Sequence, residues 1–218
     1  MTPAVKICGL VRVQDGVAAA AAGADYLGLI ASSGFPRTAP PGLGRELARS
    51  TGLPVVAVMV NESPEAVAAL ARSTAASVLQ LHGDEAPEAV YSLRAEGPWK
   101  LWKAERVRTG AEVEAALTRW AGLVDGLLLD GWRAGDRGGT GARFPWSAVE
   151  ERRDAIPSGL TFVAAGGLTP ANVAEAVARL RPDVVDVSSG VESAPGRKDP
   201  ALIEEFVRQV RQGRTAGS

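Results

Sequence analysis

Eight short runs rich in Val, Ile and Leu, each followed by an Ala-rich, charge-studded segment with apolar positions three and four apart, predict an α/β chain closed into a single (β/α)8 TIM barrel. The runs are apolar on both faces, which strands tolerate only when both faces are covered, and no run reads as an edge strand. Length agrees: 218 residues suit one barrel of this type, which typically uses about 200 to 250. The competing open, doubly wound sheet would carry a G-x-G-x-x-G turn after its first strand if it bound a dinucleotide, and no such turn follows Ile7.

The strands are expected at Ala4–Cys8, Tyr26–Ile30, Val55–Val60, Ser77–Leu81, Trp99–Ala104, Gly126–Asp130, Thr161–Ala165 and Asp183–Val187. Between them, Val67, Leu70 and Ala71 mark the apolar face of the third helix, and Val173, Ala176, Val177 and Leu180 that of the seventh. Ser63-Pro64-Glu65, Thr169-Pro170 and Asp199-Pro200 each set a capping side chain before a proline. Proline's fixed φ and missing N–H suit the first helical position, so three helix starts are placed there. The fifth helix, near Ala111–Trp120, and the sixth, near Trp146–Arg153, have weaker caps. No Ser-, Gly- or Pro-rich linker divides the chain, so residues 1–210 are expected to form one domain, followed by a polar tail at 211–218. The longest loop candidate, Arg133–Phe144, carries Gly135, Gly138, Gly139 and Gly141 just after strand six, and mobility is expected there.

Lys and Arg number 24 against 25 Asp and Glu, a net charge of −1. That balance provides no broad attraction to nucleic acid or to an anionic membrane, and neither is an expected partner. A single Cys excludes an internal disulfide, and with a single His it cannot complete a structural zinc site, so no metal is expected. A reducing, cytoplasmic compartment fits that inventory. The N-terminus lacks a basic stretch followed by an apolar core, and no run of about 18 uncharged apolar residues occurs, so neither standard export nor a membrane span is expected.

Barrels of this kind place their chemistry at the C-terminal strand ends. The first strand ends in Cys8-Gly9, the second leads into Ser32–Arg37, the fourth ends in His82-Gly83-Asp84 and the sixth in Asp130-Gly131. An isolated cysteine is usually a small buried apolar residue. At a strand end before a glycine, however, a thiol with an ordinary pKa of about 8.5 is also placed to abstract a proton. Asp130 follows Leu127-Leu128-Leu129; it either forms the turn or serves as a general acid, since an apolar setting favours the protonated carboxyl. His82 reads as a hydrogen-bonded wall residue. Arg37 is either a solvated loop charge or a fork for a substrate carboxylate. The seventh and eighth strands end in Gly166-Gly167-Leu168 and Ser188-Ser189-Gly190. Glycines there permit tight turns or let main-chain N–H groups approach an anion, and two such loops on adjacent strands point to a phosphate.

Several segments in order then carry a family likeness: Lys6-Ile7-Cys8-Gly9-Leu10, Leu79–Gly83, Leu128-Leu129-Asp130, Gly138–Gly141 with Phe144 and Trp146, Ala165–Leu168 with Pro170, Asn172 and Val173, and Val185–Glu192 with Pro195-Gly196 and Lys198-Asp199. Together they resemble the phosphoribosylanthranilate isomerase family of tryptophan biosynthesis, over nearly the whole chain. The resemblance implies a cofactor-free Amadori rearrangement, an aldose–ketose isomerisation of N-(5-phosphoribosyl)anthranilate to the 1-deoxyribulose 5-phosphate derivative, in a monomer or homodimer. It implies Cys8 as general base, Asp130 as general acid and Arg37 as partner of the anthranilate carboxylate. It further implies that Asp186 lies near the sugar and that Gly166, Gly167, Ser188, Ser189 and Gly190 hold the phosphate. The loop Gly138, Gly139, Thr140 and Gly141 would cover the substrate. The segment Ile30–Pro41 departs from the family's usual Ser-Pro-Arg-Tyr, while Met59 and Glu105 replace a phenylalanine and an apolar residue. Alternatives are another sugar-phosphate enzyme of this architecture or a noncatalytic phosphate-ligand barrel.

Overall fold

A computed structural model describes residues 2–131 and 146–213. Eight parallel strands close on themselves: β1 (Ala4–Ile7), β2 (Tyr26–Ile30), β3 (Val55–Met59), β4 (Val78–Leu81), β5 (Lys100–Val107), β6 (Gly126–Gly131), β7 (Thr161–Ala165) and β8 (Val184–Val187), with β8 pairing back to β1. Helices α1 (Val13–Ala21), α2 (Leu43–Thr51), α3 (Pro64–Thr74), α4 (Pro87–Glu96), α5 (Gly110–Trp120), α6 (Trp146–Glu150), α7 (Val173–Leu180) and α8 (Pro200–Gln212) follow the strands in turn. The closed barrel predicted from the alternation is therefore present. No helix among the described residues is long and apolar enough to cross a membrane.

Strand period two sorts each strand between two apolar layers. Outward residues such as Val5, Leu27, Leu79 and Leu127 pack against the helices. Inward residues Val56, Val78, Trp102, Leu128, Val163 and Val184 plug the barrel. Tyr26 meets Trp102 edge to face at 5.3 Å. Gly126 makes the room, because a Cβ there would lie 2.5 Å from the indole Cδ1. Two residues further along four of the strands the inward positions become polar, with Lys6 above Ala4, Gln80 above Val78, Asp130 above Leu128 and Asp186 above Val184. The apolar plug thus ends where the polar floor of the C-terminal mouth begins.

Several boundaries differ from the sequence expectation. Strand β5 continues to Val107, and Glu105 is accounted for there because it accepts a hydrogen bond from Trp120 Nε1 of α5. The start of α5 is well capped: Thr109 and Glu112 form a reciprocal capping box. Ser63 and Asp199 cap α3 and α8 as expected, but α7 begins only at Val173. Asn172 folds back instead, accepting from Thr169 N at 2.8 Å and donating to Gly167 O at 2.9 Å. After β8 the chain makes one 3-10 turn (Ser189–Val191) and an antiparallel hairpin of β9 (Glu192–Ala194) with β10 (Arg197–Lys198) before α8. Arg211 and Gln212, expected in the tail, belong to α8, and Arg211 donates to Pro3 O and Gly23 O.

Candidate active site

Cys8 follows β1 directly, its N–H donating to Val187 O at 2.8 Å, and its side chain is buried. Because Lys6 lies two residues earlier on the same strand, its side chain shares the inward face. The β1–β8 register sets Lys6 opposite Asp186, and the ammonium donates to Asp186 Oδ2 at 2.9 Å, both side chains being buried. Asp186 Oδ1 has no hydrogen-bond partner among the described residues. Gly28 on β2 leaves the space that the Cys8 and Lys6 side chains share: a Cβ on it would lie 2.9 Å from Cys8 Sγ and 3.0 Å from Lys6 Cε. Burial pushes the Cys8 thiol above its ordinary range; Lys6 and Lys198 pull it down, and Asp186 adds to the rise. Burial also opposes the Lys6 charge, but Asp186 and Cys8 outweigh it and hold the ammonium above its usual value.

Arg37 comes from the loop after β2 and is no free loop charge. Its Nε and Nη2 both donate to Glu192 at 2.8 Å. Lys198 of β10 donates to the same carboxylate at 2.9 Å and to Ser188 O at 3.0 Å. Burial favours protonation of Glu192, yet Arg37 and Lys198 together hold its carboxyl below the ordinary carboxylate range. A guanidinium has five N–H groups, so among the described residues these two bonds leave its Nη1/Nη2 end as a fork. Gly9, at φ +72°, makes room for this corner, since a Cβ on it would lie 2.9 Å from both Arg37 Cδ and Ser188 Oγ.

Two strands round the barrel from β8, through β7, Asp130 stands on β6 with its side chain about one-quarter exposed (27%). Its Oδ2 is 3.8 Å from His82 Nε2. The Gln80 side-chain amide is hydrogen-bonded to His82 Nδ1 at 2.8 Å, which orients the ring so that Nε2 faces the carboxylate. Behind this wall Lys103 is buried on the outer side of β5, donating to Gly83 O at 2.8 Å and pairing with Glu85 at 3.3 Å, which ties down the loop that bears His82. Gly166 abuts Asp130: it has φ +91°, and a Cβ there would lie 2.3 Å from Asp130 Oδ1. Gly167 is also left-handed, at φ +66°. Gly190 packs onto the loop after β7, where a Cβ would come 1.9 Å from Leu168 O. The loops that carry Gly166, Gly167, Ser188, Ser189 and Gly190 are therefore in contact at one side of the mouth.

Cys8, Arg37, Asp130, Asp186 and both glycine loops thus all lie at the C-terminal end of the barrel. Gly138, Gly139, Thr140 and Gly141 lie outside the described residues. Sequence reasoning assigned no role to Lys6, Glu192 or Lys198. Period two from Cys8 was a signal for Lys6, whereas the contacts of Glu192 and Lys198 depend on the unanticipated hairpin. Among the described residues no group of three or more His, Cys, Asp or Glu side chains is arranged to hold a metal ion. The arrangement offers a thiol and a carboxyl group for proton transfer, an arginine fork, and a glycine-lined corner suited to an anion.

The family model for N-(5'-phosphoribosyl)anthranilate (PRA) isomerase matches residues 5–209. A Pseudomonas putida (strain W619) protein named N-(5'-phosphoribosyl)anthranilate isomerase is 40% identical over 217 residues, covering 95% of this chain and 97% of that one. The crystal structure of phosphoribosyl anthranilate isomerase from Thermotoga maritima superimposes with a TM-score of 0.86 at 32% identity, covering 96% of this chain and 99% of that one. A phosphoribosyl anthranilate isomerase crystallised with reduced 1-(o-carboxyphenylamino)-1-deoxyribulose 5-phosphate gives a TM-score of 0.82 at 30% identity, with coverage of 96% and 99%.

Proposed function

The chain belongs to the N-(5'-phosphoribosyl)anthranilate isomerase family, and from that premise we propose how its residues carry out the Amadori rearrangement of tryptophan biosynthesis. The observation that carries the reading is the placement of Cys8 and Asp130 at one barrel mouth, on strands separated by β7 and β8, beside the paired glycine loops. Asp130 gives a proton to the ribose ring oxygen as the C1′–O bond breaks, and the anthranilate nitrogen lone pair forms the C1′=N bond. The Cys8 thiolate then removes the C2′ proton, and those electrons pass into C1′=C2′ to give an enolamine, which tautomerises to the ketone. No covalent bond to the protein is made.

Binding follows the same corner. The free end of Arg37 receives the anthranilate carboxylate as a fork. The unpartnered Asp186 Oδ1 accepts from a sugar hydroxyl. Main-chain N–H groups of the Gly166-Gly167 turn and of Ser188-Ser189-Gly190 hold the phosphate, a role supported by the left-handed φ of Gly166 and Gly167 and by the close packing of Gly190 against that turn's loop. Every group invoked comes from one chain, so monomer and homodimer both accommodate the site. A thiol base requires reduced cysteine, which supports a cytoplasmic location. Introduction of this chain into cells lacking the tryptophan-pathway isomerase tests the reaction: growth without tryptophan is expected, and failure of a folded, expressed chain to restore growth would refute it.

A further inference from the structure

Cys8 is an unfavourable place for a negative charge unless something compensates it. The side chain is only 8% exposed, and Asp186 brings a carboxylate of the same sign to the same side of the barrel. Three cations oppose this from different elements. Lys6 rises from β1 beneath the thiol, fully buried, with its Cε and Cys8 Sγ both within about 3 Å of the position a Cβ on Gly28 would take. Lys198 stands on β10 and is shared with Glu192 and Ser188 O; Arg37, from the loop after β2, has two of its N–H groups committed to Glu192. Asp130 and the imidazole of His82 stand further round the mouth, on β6 and just after β4. Of these groups, only Lys6 is both on the strand that carries the thiol and anchored by a buried ion pair.

We propose that Lys6 is a positioning residue for the base: its buried ammonium, pinned by Asp186 Oδ2, is the counter-charge that offsets part of the burial cost of ionising Cys8 and so brings the thiolate within reach during catalysis. The inference deepens the reading of Cys8 as base and rests on it for its catalytic meaning. The linkage of charges has a definite sign. Lys6 draws the thiol toward ionisation and Asp186 drives it away, so removal of each charge must move the thiol in opposite directions. A pair serving only to hold β1 against β8 would weaken folding in both variants without such opposed shifts.

The chain has a single cysteine, so the ultraviolet absorbance of the thiolate, corrected with a Cys8→Ala blank, titrates this group alone. The test measures that titration and the pH profile of kcat/KM for wild type, Lys6→Met, Lys6→Arg and Asp186→Asn. Lys6→Met is expected to raise the thiol midpoint by about one pH unit or more, to move the low-pH limb of kcat/KM upward with it, and to lower kcat at neutral pH with little change in KM. Lys6→Arg restores the wild-type midpoint, and Asp186→Asn lowers it. Since Lys6→Met leaves Asp186 buried and unpaired, the double variant Lys6→Met/Asp186→Asn provides a neutral pair. Its midpoint lies above wild type and below that of Lys6→Met. A wild-type midpoint in folded Lys6→Met, or in the double variant if the single one does not fold, overturns the proposal. If the midpoints shift as expected while Cys8→Ala turns over normally, the Lys6–Cys8 coupling stands and the assignment of Cys8 as base falls.

Discussion

Arg37 enters the mouth already committed along one edge to Glu192, which fixes its orientation before any substrate arrives. Pre-ordering of this sort reduces the rotamer entropy lost when a carboxylate is captured. Arg37→Ala is therefore expected to lower kcat/KM by roughly 10- to 100-fold, mainly through KM, the loss of a charge-assisted contact worth about 1.5–3 kcal/mol. Glu192→Gln should move KM in the same direction by less, and unchanged kinetics in Arg37→Ala would remove its carboxylate role. The sequence made Cys8 and Asp130 legible because each sits where an apolar strand stops, and Arg37 because it lies in the loop that follows one. It left Arg37 open between loop charge and substrate fork, because the choice depends on Glu192, 155 residues away, and on a hairpin with no strong local signal.

The β7 and β8 loops form one unit because Gly190 presses its backbone onto Leu168. A methyl group at that point meets a carbonyl oxygen rather than a yielding side chain, so the loops must part. Gly190→Ala is expected to raise KM about 10-fold or more and to destabilise the fold by about 1–3 kcal/mol, as overpacking does. Gly159→Ala, where an added Cβ meets nothing within 4 Å, is the control and should leave KM unchanged. Kinetics of Gly190→Ala equal to those of the control would disprove the coupling of the two loops. Strand positions were read within about a residue at most ends because both faces of each strand are buried and β-branched residues crowd them. Helix starts were read less evenly. Thr109 and Glu112 have the three-residue spacing of a capping box, which outweighs the weak appearance of that terminus. By contrast, Thr169-Pro170 has the sequence of a helix start while Asn172 diverts the backbone into a turn.

Closure of the barrel is what assembles the site. Lys6 and Asp186 are 180 residues apart, yet they share a register position because β8 returns to β1. Eight alternating units were enough to anticipate closure, but no local pattern encodes the closing register, and so the ion pair under Cys8 was not legible in the sequence. The same closure sets the polar tier of β1, β4, β6 and β8 above the apolar plug and brings the thiol after β1 and the carboxyl group on β6 to one mouth. The most direct measurement is turnover of N-(5'-phosphoribosyl)anthranilate, followed by loss of its fluorescence, in wild type, Cys8→Ala and Asp130→Asn. Each substitution is expected to lower kcat by about 10²-fold or more while the protein stays folded. Near-wild-type turnover by either folded variant would contradict the paired acid and base.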